Sequence, residues 1–193
     1  MYYRTSTPRK PHTVRRFSTF DLVLAGMFAA VLTVISQISI PMPSGVPLTI
    51  QIFGVALVGS VLGWKLGIFS ILTYILLGAV GLPVFSNFHG GLGVLTGVTG
   101  GYIWSWPIMS VLCGIHPKTQ NHTRNLMIRI TLSLIGLMIV EVIGGLQWAF
   151  LVTSMPLKVI LLYSMTAFVP KDIALTIAAV LLGNRIRNMI KMR

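Results

Sequence analysis

The sequence predicts an all-α integral membrane protein with six transmembrane helices, and three observations carry that prediction. Only 9% of its 193 residues are charged and 54% are hydrophobic, whereas an average soluble domain is roughly 25% charged. The fifteen Lys and Arg crowd into the termini and a few short connections, and the only acids are Asp21, Glu141 and Asp172. Between them run long apolar, glycine-containing stretches, enough for about six crossings of about 20 residues each. That leaves no room for a soluble catalytic or nucleotide-binding domain.

The elements follow from apolar runs between turn signals. Met1 to Arg16 is polar and basic and precedes an apolar run, as a signal-peptide n-region would. The run from Leu22 to Ile40 is long for a signal core and has no small-residue cleavage site before Pro41, so it reads as an uncleaved first span, Asp21 to Ser39. The second span covers Leu48 to Leu62 and the third Leu66 to Leu82, joined by Gly63-Trp64-Lys65. The fourth runs from Gly101 to Ile115 and the fifth from Leu126 to Thr153. Leu157 to Phe168, about 12 residues, is too short to cross ~30 Å of hydrocarbon and reads as a short extra outer helix. Pro170, at a favoured first helical position, then opens a sixth span of about 21 residues to Ile190. The chain divides into a basic cytoplasmic tail (1–19), a membrane domain (20–190) and a basic cytoplasmic end (191–193).

Charge asymmetry orients the bundle. With the N-terminus inside, Arg4, Arg9, Lys10, Arg15, Arg16, Lys65, Lys118, Arg124, Arg129, Arg185, Arg187, Lys191 and Arg193 lie on the inner side, and only Lys158 and Lys171 outside. Both termini are therefore expected in the cytoplasm, in a multi-pass protein of a bacterial-type plasma membrane. Basic residues that flank apolar segments point to the bilayer and away from nucleic acid, despite the net charge of +12. A lone cysteine, Cys113, excludes an intrachain disulfide. The histidines are scattered (His12, His89, His116, His122), and neither a metal motif nor a catalytic motif accompanies them. No cofactor is expected.

The unusual wording lies on the outer side: Ile40 to Pro47, Leu82 to Tyr102, and Phe168 to Asp172. The glycines of the second stretch lack the G-K-[ST] of a phosphate loop. They read mainly as turns and close-packing positions, and alternatively as points of close backbone approach to a small ligand, because Phe85, Asn87, Phe88, Tyr102 and Trp104 interleave them. Asp172, two residues after Pro170, reads equally as helix-start stabilisation and as a ligand contact. Glu141 should face the bundle, protonated or paired with Lys158 or Lys171, in a role more structural than catalytic. Trp64, Trp104, Trp106 and Trp148 read by default as interfacial anchors. Two small-residue pairs, Ala25/Ala29 and Gly26/Ala30, would let another helix approach the first span closely.

Taken together, DLVLAGMFAA, SQISIPMPSGVPLTIQ, LGAVGLPVFSNFHGGLGVLTGVTGGY and LVTSMPLKVILLYSMTAFVPKD resemble the BioY family, the biotin-binding S components of energy-coupling factor (ECF) vitamin transporters. The resemblance spans Asp21 to Leu182. It implies the S-component fold and capture of biotin from outside, with ATP-driven uptake carried out by a transmembrane coupling protein and two ABC-type ATPases. It also implies that Ala25 and Ala29 meet the coupling protein, and that Asn87 and Asp172 contact the ligand. A carboxylate and a carboxamide suit the ureido ring, which offers two N–H donors and a carbonyl. Phe85, Tyr102, Trp104 and Trp148 are candidate walls, Gly100 a point of close approach, and Lys171 a candidate for the valerate carboxylate. The sequence departs from the family pattern in two places. Leu175 stands where many relatives carry a lysine three residues after the aspartate, and Gly97-Val98-Thr99-Gly100-Gly101 replaces GPTGG. Lys171 is about 100° from Asp172 around a helix, so the lysine at 171 is not a direct substitute.

Other readings are an S component for thiamin or riboflavin, an intramembrane enzyme using Glu141 and His89, and a purely structural subunit. The enzyme reading suffers because Glu141 is mid-span and His89 in an outer loop. Moving a biotin anion into a negative interior costs about 2.3 kcal/mol per 100 mV. The chain carries no ATP motif, so it is not expected to concentrate biotin alone.

Overall fold

The computed structural model describes residues 18–42, 45–117, 120–152 and 156–190. The expected basic tail, except Ser18 and Thr19, the basic end at 191–193, Lys118, and Pro43 and Ser44 lie outside these residues, as does the expected end of the fifth span at Thr153.

Helix α1, Thr19–Ser36, begins with a reciprocal cap. The Asp21 N–H donates to Ser18 Oγ (3.2 Å) and the Ser18 N–H donates to Asp21 Oδ2 (3.0 Å), which satisfies two of the backbone donors that any helix start leaves free. One of the three acids is thereby a helix cap. After α1 the chain forms a two-stranded antiparallel ribbon, β1 (Ser39–Ile40) and β2 (Leu48–Thr49), pairing Ser39 with Thr49 and Ile40 with Leu48.

Helix α2, Gln51–Ala79, is interrupted at Gly63, whose φ of 78° and ψ of 171° lie outside helical geometry. That backbone strongly favours glycine, and it falls at the expected joint between the second and third spans. The break strands the carbonyls at the end of the first segment, and side chains from three other places satisfy them. His116 Nε2 lies 3.1 Å and Arg129 Nη2 3.4 Å from the Ser60 oxygen, and Arg187 Nη1 donates to the Val61 oxygen at 2.8 Å. Cationic donors also suit the negative end of a helix. Arg129 is buried without a carboxylate partner among the described residues. Its other Nη donates to Asn184 Oδ1 at 2.6 Å.

Beyond α2 come a single 3₁₀ turn, Ser86–Phe88, and the short helix α3, Leu92–Thr96. They are followed by α4 (Gly100–Cys113), α5 (His122–Leu151), α6 (Leu157–Ala167) and α7 (Val169–Ile190). Helix α6 is the expected short helix before the last span, and α7 begins one residue before Pro170. Helix α2 is central, packed against α1, α4 and α7, while α5 packs against α4, α6 and α7. Val55, Ala56, Val58 and Val61 of α2 are buried with Leu32 of α1, Met109 of α4, and Leu137 and Val140 of α5.

Helices α1, α2, α5 and α7 are each long and apolar enough to cross a membrane, as the all-α membrane reading requires. A count of six counts α2 twice, across its break, and adds the 14-residue α4. The small-residue pairs of α1 separate cleanly. Ala25 and Ala29 are 0% and 2% exposed, and the Ala25 carbonyl accepts from Ser70 Oγ of α2 at 2.8 Å. They are covered within the chain, which is not where the family resemblance put them. Gly26 and Ala30 stay exposed, and nothing lies within 4 Å of where a Gly26 side chain would begin.

Candidate ligand cavity

One end of the bundle carries the ribbon β1–β2, the loop from Val80 to Thr99 and the α6–α7 junction, and these converge over a cavity. Gln37, the residue capping α1, ties the loop down. Its Nε2 donates to the carbonyls of Val84 (3.3 Å) and Phe85 (3.1 Å), and its Oε1 accepts from the Phe88 N–H (2.8 Å). The Tyr74 hydroxyl also donates to the Val84 oxygen at 2.8 Å. Held this way, Asn87 and Phe88 adopt positive φ of 56° and 58°, conformations uncommon for residues with side chains. Ser39 Oγ of the ribbon donates to Asn87 Oδ1 at 2.7 Å.

The cavity has an apolar and aromatic wall made by Val46, Ile52, Phe85, Tyr102, Trp106 and Phe168. Its polar groups include Thr49, Gln51, Glu141, Lys171 and Asp172. The cavity encloses about 60 Å³, below the roughly 300–1,000 Å³ typical of small-molecule sites, and it opens outward beneath the ribbon and the loop. A second hollow, lined by Asn87, His89, Gly93 and Gly97, shares Pro47, Ser86, Val94 and Thr99 with the first.

Asp172 sits in the first turn of α7, where its carboxylate suits the helix dipole. It is 3% exposed and forms an ion pair with Lys171. Lys171 Nζ also donates to the Thr49 oxygen at 2.7 Å. The 100° separation on the helix is thus overcome: the four-carbon lysine stem folds back, and the two charges meet at the cavity wall. Glu141, 2% exposed on α5, accepts from Ser164 Oγ of α6 at 3.0 Å. Ser164 has one hydroxyl hydrogen, given to Glu141, so Tyr102 is the donor in the 3.1 Å contact between their hydroxyls. The Trp106 indole N–H is buried without a partner among the described residues. A buried donor left this way calls for an acceptor.

Of the residues singled out from the sequence, Phe85, Tyr102, Lys171 and Asp172 come together at this cavity. Asn87 lines the adjoining hollow, so it does not share a wall with Asp172. Trp104 is 54% exposed, its indole N–H given to the Leu95 oxygen at 3.1 Å. Trp148 is buried behind the cavity with Val46, Ile160 and Phe168. Gly100 packs against the Leu95 carbonyl and Gln147, leaving no space for a side chain. Glu141, Trp106, Gln51 and Phe168 are cavity residues that the sequence reading did not select. For Glu141 one signal existed: an acid is scarce enough in this chain that the two beyond the first helix invite pairing.

Glycine Gly144 seats Tyr102, because a side chain there would run into the tyrosine ring. Gly144→Val is therefore expected to lower stability by about 1–3 kcal/mol through overpacking. Thermal unfolding of the detergent-solubilised protein measures this, and an unchanged transition would show that the ring is not held there.

The profile of the BioY family matches residues 9–192. The chain belongs to the BioY family. Among its relatives is the probable biotin transporter BioY of Pyrococcus horikoshii, 36% identical over 167 residues, which are 86% of this chain and 96% of that protein. The biotin transporter BioY of Rhizobium etli is 31% identical, over 88% of this chain and 94% of that one. The crystal structure at 2.1 Å of the S-component for biotin from an ECF-type ABC transporter superposes with a TM-score of 0.75 at 27% identity. That match covers 88% of this chain and 91% of the other. The relatives are named transporters, and the family fold is the S-component fold.

Proposed function

We propose that this chain is the biotin-binding membrane subunit of an ECF-type transporter and carries out no catalysis itself. The observation that carries the reading is the buried Asp172 paired with Lys171 at one side of an aromatic cavity, in a chain of this family. Biotin's ureido ring presents two N–H donors beside a carbonyl. Asp172 keeps acceptor capacity after pairing with Lys171. The unpartnered Trp106 N–H is suited to the ureido oxygen, and Phe85, Tyr102 and Phe168 supply apolar surface for the fused rings. The valerate chain then extends toward the adjoining hollow, where Asn87, Ser86, His89 and Thr99 offer polar groups to its carboxylate. In this arrangement Lys171 serves the ureido end.

The end carrying Lys65, Arg124 and Arg185 lies in the cytoplasm under the positive-inside rule, and the cavity faces outward. The membrane is then the cell membrane, crossed six times with α2 counted as two spans. Uptake against the membrane potential needs an energised partner, a coupling protein with two ATPases. Its contact with this chain is placed on the open face of α1, through Gly26 and Ala30, since Ala25 and Ala29 are already covered.

Calorimetric titration of the purified subunit tests the substrate. Saturable binding of biotin is expected, with weaker binding of a carboxylate-blocked analogue and none of thiamin or riboflavin. Tighter binding of either competing vitamin would replace biotin in this account.

A further inference from the structure

Two of the three acids in the chain meet in the cavity, although α5 and α7 carry them far apart in sequence. Resting on the ligand reading above, we infer that Glu141 is a positioning residue: as a neutral acid it donates to the Asp172 carboxylate and holds it toward the ligand. Glu141 and Asp172 line the same cavity, and both are at least nine-tenths buried. Two carboxylates share such a site only with a proton between them. The surroundings decide which group carries it. Lys171 pairs with Asp172, which keeps Asp172 the anion, so the proton resides on Glu141.

The donors of the relay then each find an acceptor. Tyr102 donates to Ser164, Ser164 donates to Glu141, Glu141 donates to Asp172, and Lys171 donates to Asp172 and to the Thr49 carbonyl. The relay draws on α4, α6, α5 and α7 in turn, so four elements orient one carboxylate. The titratable groups facing Glu141 are Tyr102 from α4 and Lys171 and Asp172 from α7, with neutral Ser164 from α6. Loss of the Glu141 proton would set two anions side by side where an anionic vitamin binds. Binding is therefore linked to pH through this residue.

The test compares biotin affinity across pH in wild type, Glu141→Ala and Glu141→Gln. Wild-type affinity is expected to fall at least tenfold as the pH is raised from about 6 to about 9. Glu141→Ala should lose about tenfold already at the lower pH, by taking away the acceptor of the Ser164 hydroxyl and one of the donors to Asp172. Glu141→Gln keeps both a donor and an acceptor, so it should restore most of that loss and respond to pH by less than threefold. An equal pH response in wild type and Glu141→Gln would assign the titration to Lys171 or Tyr102 and overturn the inference, as would a Gln variant no better than Ala. Infrared spectroscopy gives a second readout that needs no vitamin. A neutral carboxylic-acid carbonyl band should be present in wild type, vanish on alkaline titration and be missing in Glu141→Gln. Its absence from the wild type at the lower pH would also overturn the inference. A band without biotin binding would instead sink the ligand reading and leave the proton on Glu141.

Discussion

Asp172→Asn is expected to weaken biotin binding by about 1–3 kcal/mol, a loss of roughly 5- to 150-fold, because charge-assisted bonds to the ureido N–H groups become neutral ones. The substitution preserves volume, so the cavity wall stays in place. It also deprives Lys171 of its counter-ion and leaves a partly buried ammonium beside the Thr49 carbonyl alone. Both effects act on the same side of the cavity. Titration calorimetry on a variant with an unaltered elution profile measures the loss. Wild-type affinity would remove Asp172 from the ligand contacts and, with it, the proposed placement of the ureido ring.

The second large effect is expected from leucine substitutions on the two faces of α1. Ala29→Leu forces a branched side chain into the contact of α1 with α2, where Ala29 is 2% exposed, and should destabilise the chain by about 1–3 kcal/mol. Ala30→Leu places the same side chain on the open face. It should leave melting temperature and biotin affinity unchanged while reducing co-purification with the coupling protein from a membrane that contains both. The docking assignment fails if Ala30→Leu assembles like the wild type. A stable Ala29→Leu would mean that the helices are not packed through that alanine.

Much of the architecture was legible because charge is scarce. Apolar runs located the helices, Gly63 marked a change of direction, and the position of Pro170 separated a short α6 from a long α7. What sequence patterning does not supply is the rotation of each helix about its axis. Trp104 and Trp106 stand two residues apart on α4, yet one is exposed and the other lines the cavity. The same ambiguity interchanges Ala25/Ala29 with Gly26/Ala30 on α1. It also hides the meeting of Glu141 with Asp172, which depends on how α5 and α7 face each other. The β1–β2 ribbon escaped notice for a different reason: strands of two residues are too short to show alternation. Lys171 escaped because helical spacing describes where a side chain leaves the backbone, and a flexible four-carbon stem can reach elsewhere.

Gln37 has a mechanical consequence. Its carboxamide fastens the end of α1 to the Val84 and Phe85 carbonyls and the Phe88 N–H, in the segment that carries Asn87. A force that tilts α1 must either drag this segment along or rupture those bonds, each worth about 1 kcal/mol net. In the proposed assembly, the helix whose open face meets the coupling protein is therefore also the handle of the cavity's cover, so pulling on one loosens the other.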